Sequence, residues 1–125
     1  MICFKNFAPF SSLKESEFSV LEDLTNKKKY RKGDTILKAG RVAEKIIFLN
    51  SGIVSSVYIQ KTKKFIRDFY FPPHIFTEQE SFEKQIPAKF SIICVTDISC
   101  HFMSKDNLEN AYNRIPNLKG IANNL

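Results

Sequence analysis

Apolar residues follow a helical spacing at both ends of this chain and a strand-like spacing between them. From Ser12 to Thr25, Phe18, Leu21 and Leu24 recur every third position, which predicts a helix over about 12–25 with one apolar stripe. Ser12-Leu13-Lys14-Glu15 offers a capping box at its start. A β-rich region then spans about 29–103, in short pieces divided by turn residues. Its strands are Thr35 to Lys38, Ile46 to Leu49, the alternating run Ile53 to Gln60, Phe65 to Phe71, Phe90 to Val95, and Ser99 to Met103. Gly33-Asp34, Lys61 to Lys63 and Thr96-Asp97 read as turns, and Asn50-Ser51-Gly52 as a hairpin signal. Pro72-Pro73 ends the Phe65–Phe71 strand, because proline donates nothing to a ladder.

Helical spacing returns at about 104–125, where Ser104 suits an N-cap, Asp106 the first turn, and Leu108, Ala111, Tyr112 and Ile115 one buried face. Pro116 breaks that helix and is placed to begin another. Many short strands without intervening helical patterns give a mainly β fold with flanking helices, a β-sandwich or jelly-roll type rather than a parallel sheet.

The length, 125 residues, fits a single domain. Twelve Phe and four Tyr supply far more core material than a disordered chain carries. No apolar run exceeds the four residues of Ile46-Ile47-Phe48-Leu49, too short for a membrane span, and Met1-Ile2-Cys3-Phe4-Lys5 opens no signal peptide, so a cytoplasmic protein without a membrane partner is expected. Cys3, Cys94 and Cys100 are too few for a disulfide framework and read as small buried hydrophobes.

Catalytic chemistry finds no support. Asp97, Ser99, Cys100 and His101 are neighbours only along the chain, and successive strand residues point to opposite faces, so His101 would not meet Cys100. No catalytic residue and no enzyme is expected. Two histidines in separate segments, with no Cys-x-x-Cys, His-x-His or Glu-x-x-His, give no metal site, and no cofactor is assigned beyond a small anionic effector or nucleotide. The net charge is +6, and Lys27-Lys28-Lys29-Tyr30-Arg31-Lys32 concentrates it. That run fits either a nucleic-acid footprint or a solvated strand edge, where lysines discourage edge-to-edge pairing.

Lys32-Gly33-Asp34-Thr35-Ile36, Gly40, Ile47-Phe48 and Ser51-Gly52-Ile53-Val54 are spaced in a way that resembles the cyclic-nucleotide-binding domain of Crp/Fnr-type bacterial transcription regulators. Phe71-Pro72-Pro73 and Lys105-Asp106-Asn107-Leu108 extend the resemblance over nearly the whole chain. It implies a helix-flanked β-roll that senses a small molecule, works as a homodimer in the full regulator, and meets DNA only through a helix-turn-helix, which these residues do not include. It also implies a phosphate cassette, whose Gly-Glu pair falls on Thr77-Glu78 and whose Arg-Ser or Arg-Thr pair falls on Ala88-Lys89.

Glu78 keeps the pattern. Ala88 removes the arginine's planar fork, and Thr77 adds a side chain where a backbone should approach the ligand. The resemblance therefore implies an effector held otherwise than cyclic AMP usually is. The expected site residues are Thr77, Glu78, Gln79, Glu80, Ala88, Lys89 and Ser91, with backbone N–H groups from Thr77 to Glu80 and the Lys89 and Ser91 side chains as donors, set between roll and terminal helix. A structural alternative makes Glu78, Glu80 and Glu83 the exposed side of a short helix with Phe76 and Phe82 in the core. The rival functions are a basic nucleic-acid-binding module at Lys27 to Lys32, and a roll serving only dimerisation through Leu108 to Leu125.

Overall fold

The computed structural model describes Phe7, Phe10 and residues 12–122. Cys3, expected to be buried, and positions 123–125 lie outside the described residues. The elements run α1 (Glu15–Asp23), β1 (Asn26–Tyr30), β2 (Thr35–Leu37), β3 (Lys45–Ser51), β4 (Val54–Gln60), β5 (Lys63–Tyr70), β6 (His74–Phe76), α2 (Gln79–Lys84), β7 (Ser91–Cys94), β8 (Ile98–Ser104), α3 (Lys105–Arg114) and α4 (Leu118–Ala122). They build two four-stranded antiparallel sheets, one ordered β1-β8-β3-β6 and the other β2-β7-β4-β5.

Both faces of the first sheet are covered. Ile47, Leu49, Ile98 and Cys100 form the inter-sheet core with Val54, Ile92 and Cys94. Ile46, Phe48 and Met103 point the other way, onto Leu21, Phe82, Ala111, Ile115 and Leu118 of the helical layer. A strand buried on both sides needs apolar residues at every position, which explains the uninterrupted Ile46–Leu49 run. Burial pushes the Cys94 and Cys100 thiols up to about 11, so both sit as inert small hydrophobes.

At several boundaries the chain departs from the expected pattern. Helix α1 starts three residues late, with Lys14 as N-cap, and the capping carboxylate is Glu17, which accepts from the Lys14 N–H at 2.9 Å. At the other end Ser104 does cap α3, its Oγ accepting from Asn107 N at 3.1 Å. Helix α4 begins at Leu118 rather than Pro116, after the Leu118 N–H closes a turn onto the Ile115 carbonyl.

Asn50-Ser51-Gly52 makes no hairpin. Strand β3 pairs with β6 and β8, and β4 with β5 and β7, so Gly52 carries the chain from one sheet to the other. Two strands escaped the periodicity. The basic run forms β1, an edge strand paired only with β8, whose lysines are exposed as on a solvated edge. The three-residue β6 follows Pro72-Pro73 directly and is too short to show an alternation.

The expected β4–β5 hairpin is present, turning at Lys61-Thr62 with Gln60 opposite Lys63. A β-bulge between Ser56 and Val57 interrupts its register, so that Ser56 faces Asp68 and Val57 faces Ile66. Arg67 is the extra residue, and a bulge re-aims such a side chain. Beyond the bulge the hairpin leaves the core: Tyr58, Ile59, Phe65 and Ile66 are exposed despite their apolar alternation.

His101, in the inter-helix face of β8, is 8% exposed, with Nδ1 2.8 Å from Asn50 Oδ1. An amide oxygen only accepts, so Nδ1 carries the ring proton. Burial, helped by the Lys27 charge, lowers the His101 pKa below its ordinary 6.5. The unfolded chain then binds the extra proton more readily, and stability rises with pH across the interval from the depressed folded value up to about 6.5. The melting temperature is expected to fall on acidification below about pH 6.5, and His101→Gln to flatten that part of the profile. An unchanged slope in the variant would remove His101 as its source.

Candidate functional site

The Phe76–Ser91 segment places the expected site residues around a six-residue helix. Phe76 and Phe82 are buried, one in each core, and fix α2 against the roll. Between them Glu78, the N-cap of α2, turns inward and is 5% exposed. Its Oε1 accepts from the backbone N–H of Glu80 at 3.1 Å and of Ser81 at 3.5 Å, and its Oε2 accepts from the Lys89 N–H at 3.2 Å. One carboxylate thus fills the donors at the helix start and the donor entering β7, joining two arms of the segment eleven residues apart. The alternative of an exposed acidic helix side holds for Glu83 and not for Glu78.

The other expected residues have internal partners too. Thr77 Oγ1 donates to the Lys45 carbonyl at 2.8 Å, fastening the segment to β3. Gln79 Nε2 donates to Glu83 Oε1 at 2.9 Å along the helix surface. Ala88 is buried, its N–H donating to the Arg41 carbonyl and its carbonyl accepting from Gly40 N–H, both at 2.8 Å. Lys89 extends outward and meets Glu80 Oε2 at 3.4 Å, an exposed pair of little energetic weight. Ser91 is buried in β7, and its Oγ accepts from Ala39 N–H at 2.9 Å, tying down the loop after β2. Glu78, Glu80 and Lys89 are therefore brought together, while Ser91 faces the β2–β3 loop.

Two clefts flank the segment. One, of about 560 Å³, is lined by β2, the 41–45 stretch, Thr77 and Ser91 to Ile93. The other, of about 410 Å³, lies between β6, α2 and α3, with Phe76, Phe82, Leu108 and Tyr112 in its walls. Lys105 projects there but donates to the carbonyls of Phe82 and Glu83, at 3.0 and 2.8 Å, closing the C-terminal end of α2.

Sequence reasoning missed Arg67. The bulge brings it back over the roll, where its guanidinium lies 4.4 Å from the centroid of the Phe90 ring. Nη1 donates to Tyr70 Oη at 3.1 Å and to Ser56 Oγ at 3.4 Å, and Tyr70 in turn donates to Ser56 at 3.3 Å. Tyr70 is itself stacked on Phe76, ring centroids 5.0 Å apart, and Tyr58 meets Phe90 edge-on. A lone Arg in an alternating strand gives no sequence signal; only the two serines on the neighbouring strand, Ser55-Ser56, hint at a polar pocket wall. No group of three His, Cys, Asp or Glu among the described residues could hold a metal, and no described helix is long and apolar enough to cross a membrane.

A double-sheet roll closed by helices, with a short helix capped by Glu78 between β6 and β7, is the architecture that the comparisons with known proteins identify. The cyclic nucleotide-binding domain family model matches residues 27–114, and the chain belongs to that family. In fold it is similar to the catabolite activator protein of Thermus thermophilus, at 16% identity and a TM-score of 0.81, covering 91% of this chain and 54% of that one. The N-terminal domain of a transcriptional regulator from Streptomyces coelicolor A3(2) is similar at 14% identity and a TM-score of 0.79, covering 96% and 86%. A regulatory subunit of a cAMP-independent protein kinase A from Trypanosoma cruzi, bound to guanosine, is similar at 14% identity and a TM-score of 0.77, covering 94% and 42%. This chain spans about half the length of the Thermus protein. No curated protein sequence matches it.

Proposed function

We propose that the chain is the effector-sensing domain of a Crp/Fnr-type transcription regulator, and that its effector is a small anion held otherwise than cyclic AMP is in the family's usual manner. The observation that carries this reading is the Glu78 carboxylate, which already occupies the backbone N–H groups of Glu80, Ser81 and Lys89. A phosphate arriving at those donors must displace a buried, charge-assisted network, and Ala88 offers no arginine in return. The guanosine-bound, cAMP-independent relative supports the view that this roll serves ligands other than cyclic AMP. Binding would shift a two-state equilibrium in the helices packed on the roll, and in the whole regulator that shift would reach a partner copy and a DNA-binding unit.

The test is thermal unfolding of the chain against cyclic AMP, cyclic GMP, guanosine, nucleoside monophosphates and small organic acids. A ligand at about 100 times its Kd adds roughly 2.7 kcal/mol and raises the melting temperature by several degrees. One or more anionic compounds are expected to do so, and cyclic AMP is expected to leave it in place. A saturable rise with micromolar cyclic AMP, or no rise with any of the compounds, would sink the proposal.

A further inference from the structure

The Glu78 carboxylate already fills the backbone donors of its segment, and Lys89 extends outward into solvent beside Glu80, so a cation set against the roll is sought elsewhere. We infer that Arg67, laid over the Phe90 ring at the β5 bulge, is the anion anchor of this domain, and that it takes an oxyanion, carboxylate or phosphate, carried by a flat apolar ring. The inference rests on the effector-sensing reading and specifies the site's ligand class.

Three observations converge on it. First, Arg67 has no carboxylate within ion-pair distance among the described residues, although Asp68 is its neighbour; the Asp68 Oδ1 instead accepts from the Phe69 N–H at 2.9 Å. Second, only Nη1 of the guanidinium is engaged, by Tyr70 and Ser56. A guanidinium carries five N–H donors in a rigid fork, so Nε and Nη2 keep the paired geometry that matches a carboxylate or phosphate edge. Third, the fork is pre-positioned. Stacking on Phe90 and the hydroxyl contacts restrict its rotamers, which lowers the entropy lost on binding.

The surroundings select the rest of the ligand. Phe90 and Tyr70 are packed against the inter-sheet core, and Tyr58, 40% exposed, stands edge-on to Phe90. A ring lying beside Tyr58 with its oxyanion on Arg67 would gain aromatic contact without desolvating an unpaired charge. Strand β5 is the exposed edge of its sheet, so a ligand reaches Arg67 without opening the core.

The experiment is a nuclear magnetic resonance titration of the chain with benzoate, phenyl phosphate and, as the neutral ring, benzyl alcohol. Benzoate and phenyl phosphate separate the two oxyanion sources. At least one of the two anions is expected to shift the Arg67 Nε–H and Phe90 amide signals, with benzyl alcohol binding at least tenfold more weakly. Arg67→Gln is expected to weaken that anion at least tenfold. Arg67→Lys, which keeps the charge and loses the fork, should weaken it several-fold. Lys29→Gln, on the far edge strand β1, removes the same charge and should change nothing. Retained melting behaviour in the Arg67 variants keeps the comparison valid, since the side chain is exposed.

Equal affinity in the wild type and Arg67→Gln overturns the assignment, as does the absence of any perturbation by either anion. Shifts centred on the Glu80 and Lys89 amides and insensitive to Arg67→Gln also overturn it, but leave the sensing reading standing. That reading fails separately, in the nucleotide and organic-acid screen.

Discussion

Gly52→Ala is expected to cost about 3 kcal/mol or more of unfolding free energy. Gly52 has a φ of +91°, in the region where a side chain crowds its own backbone. A Cβ there would also run into the Asp97 carbonyl oxygen, with Ile98 Cγ2 at 2.6 Å and Thr96 Oγ1 at 2.9 Å. None of these can yield cheaply. Ile98 is buried in the inter-sheet core, and Thr96 Oγ1 accepts from the Ile53 N–H at 3.0 Å. Gly33, at φ +88° with nothing within 4 Å of its added Cβ, is the control. Gly33→Ala should lose only the conformational part, about 1 kcal/mol. Urea unfolding of both variants measures the difference, and comparable losses would mean that the close approach at Gly52 carries no energy.

Glu78→Ala is expected to cost about 3 kcal/mol. The substitution strips an N-cap, worth roughly 1 kcal/mol, and leaves the Lys89 N–H without its charged acceptor on the other arm of the segment, worth roughly 1.5–3 kcal/mol. Glu78→Gln should lose less, since one amide oxygen still accepts while the NH2 group faces a donor. The midpoint in urea should move with little change in slope, because the same surface is exposed on unfolding. A loss below about 0.5 kcal/mol in Glu78→Ala would show that the carboxylate is not held by these three donors. Glu78 thus joins the start of α2 to the residue entering β7, and its loss is read as stability.

The sheet pattern, the closing helices and the Ser104 cap were legible because each is written locally. Alternation has a period of two, a cap acts over three residues, and Gly33 marks its turn by conformation alone. The family resemblance drew on the same local features, and the match over residues 27–114 agrees with it. The placing of Thr77-Glu78 and Ala88-Lys89 on a phosphate cassette came from the resemblance alone, and what the structure adds is the set of partners around Glu78.

Where the reading failed, the deciding partner lies far along the chain. Asn50-Ser51-Gly52 has the composition of a hairpin turn, yet β3 is claimed by β8, whose Cys100 stands opposite Leu49. Burial between two cores outweighs pairing with the next strand. The Phe65–Phe71 alternation looks half-buried, but among the described residues no second layer covers the outer half of that hairpin, and Phe65, Ile66, Phe69 and Phe71 are exposed. The inward turn of Glu78 depends on Lys89, and the aim of Arg67 depends on its being the unpaired residue of the β5 bulge and on Phe90. By itself the sequence determined a mainly β roll between helices. Only the tertiary structure decided that the Glu78 carboxylate holds the backbone of its own segment and that Arg67 lies over Phe90, because both outcomes are set by long-range register, which periodicity does not encode.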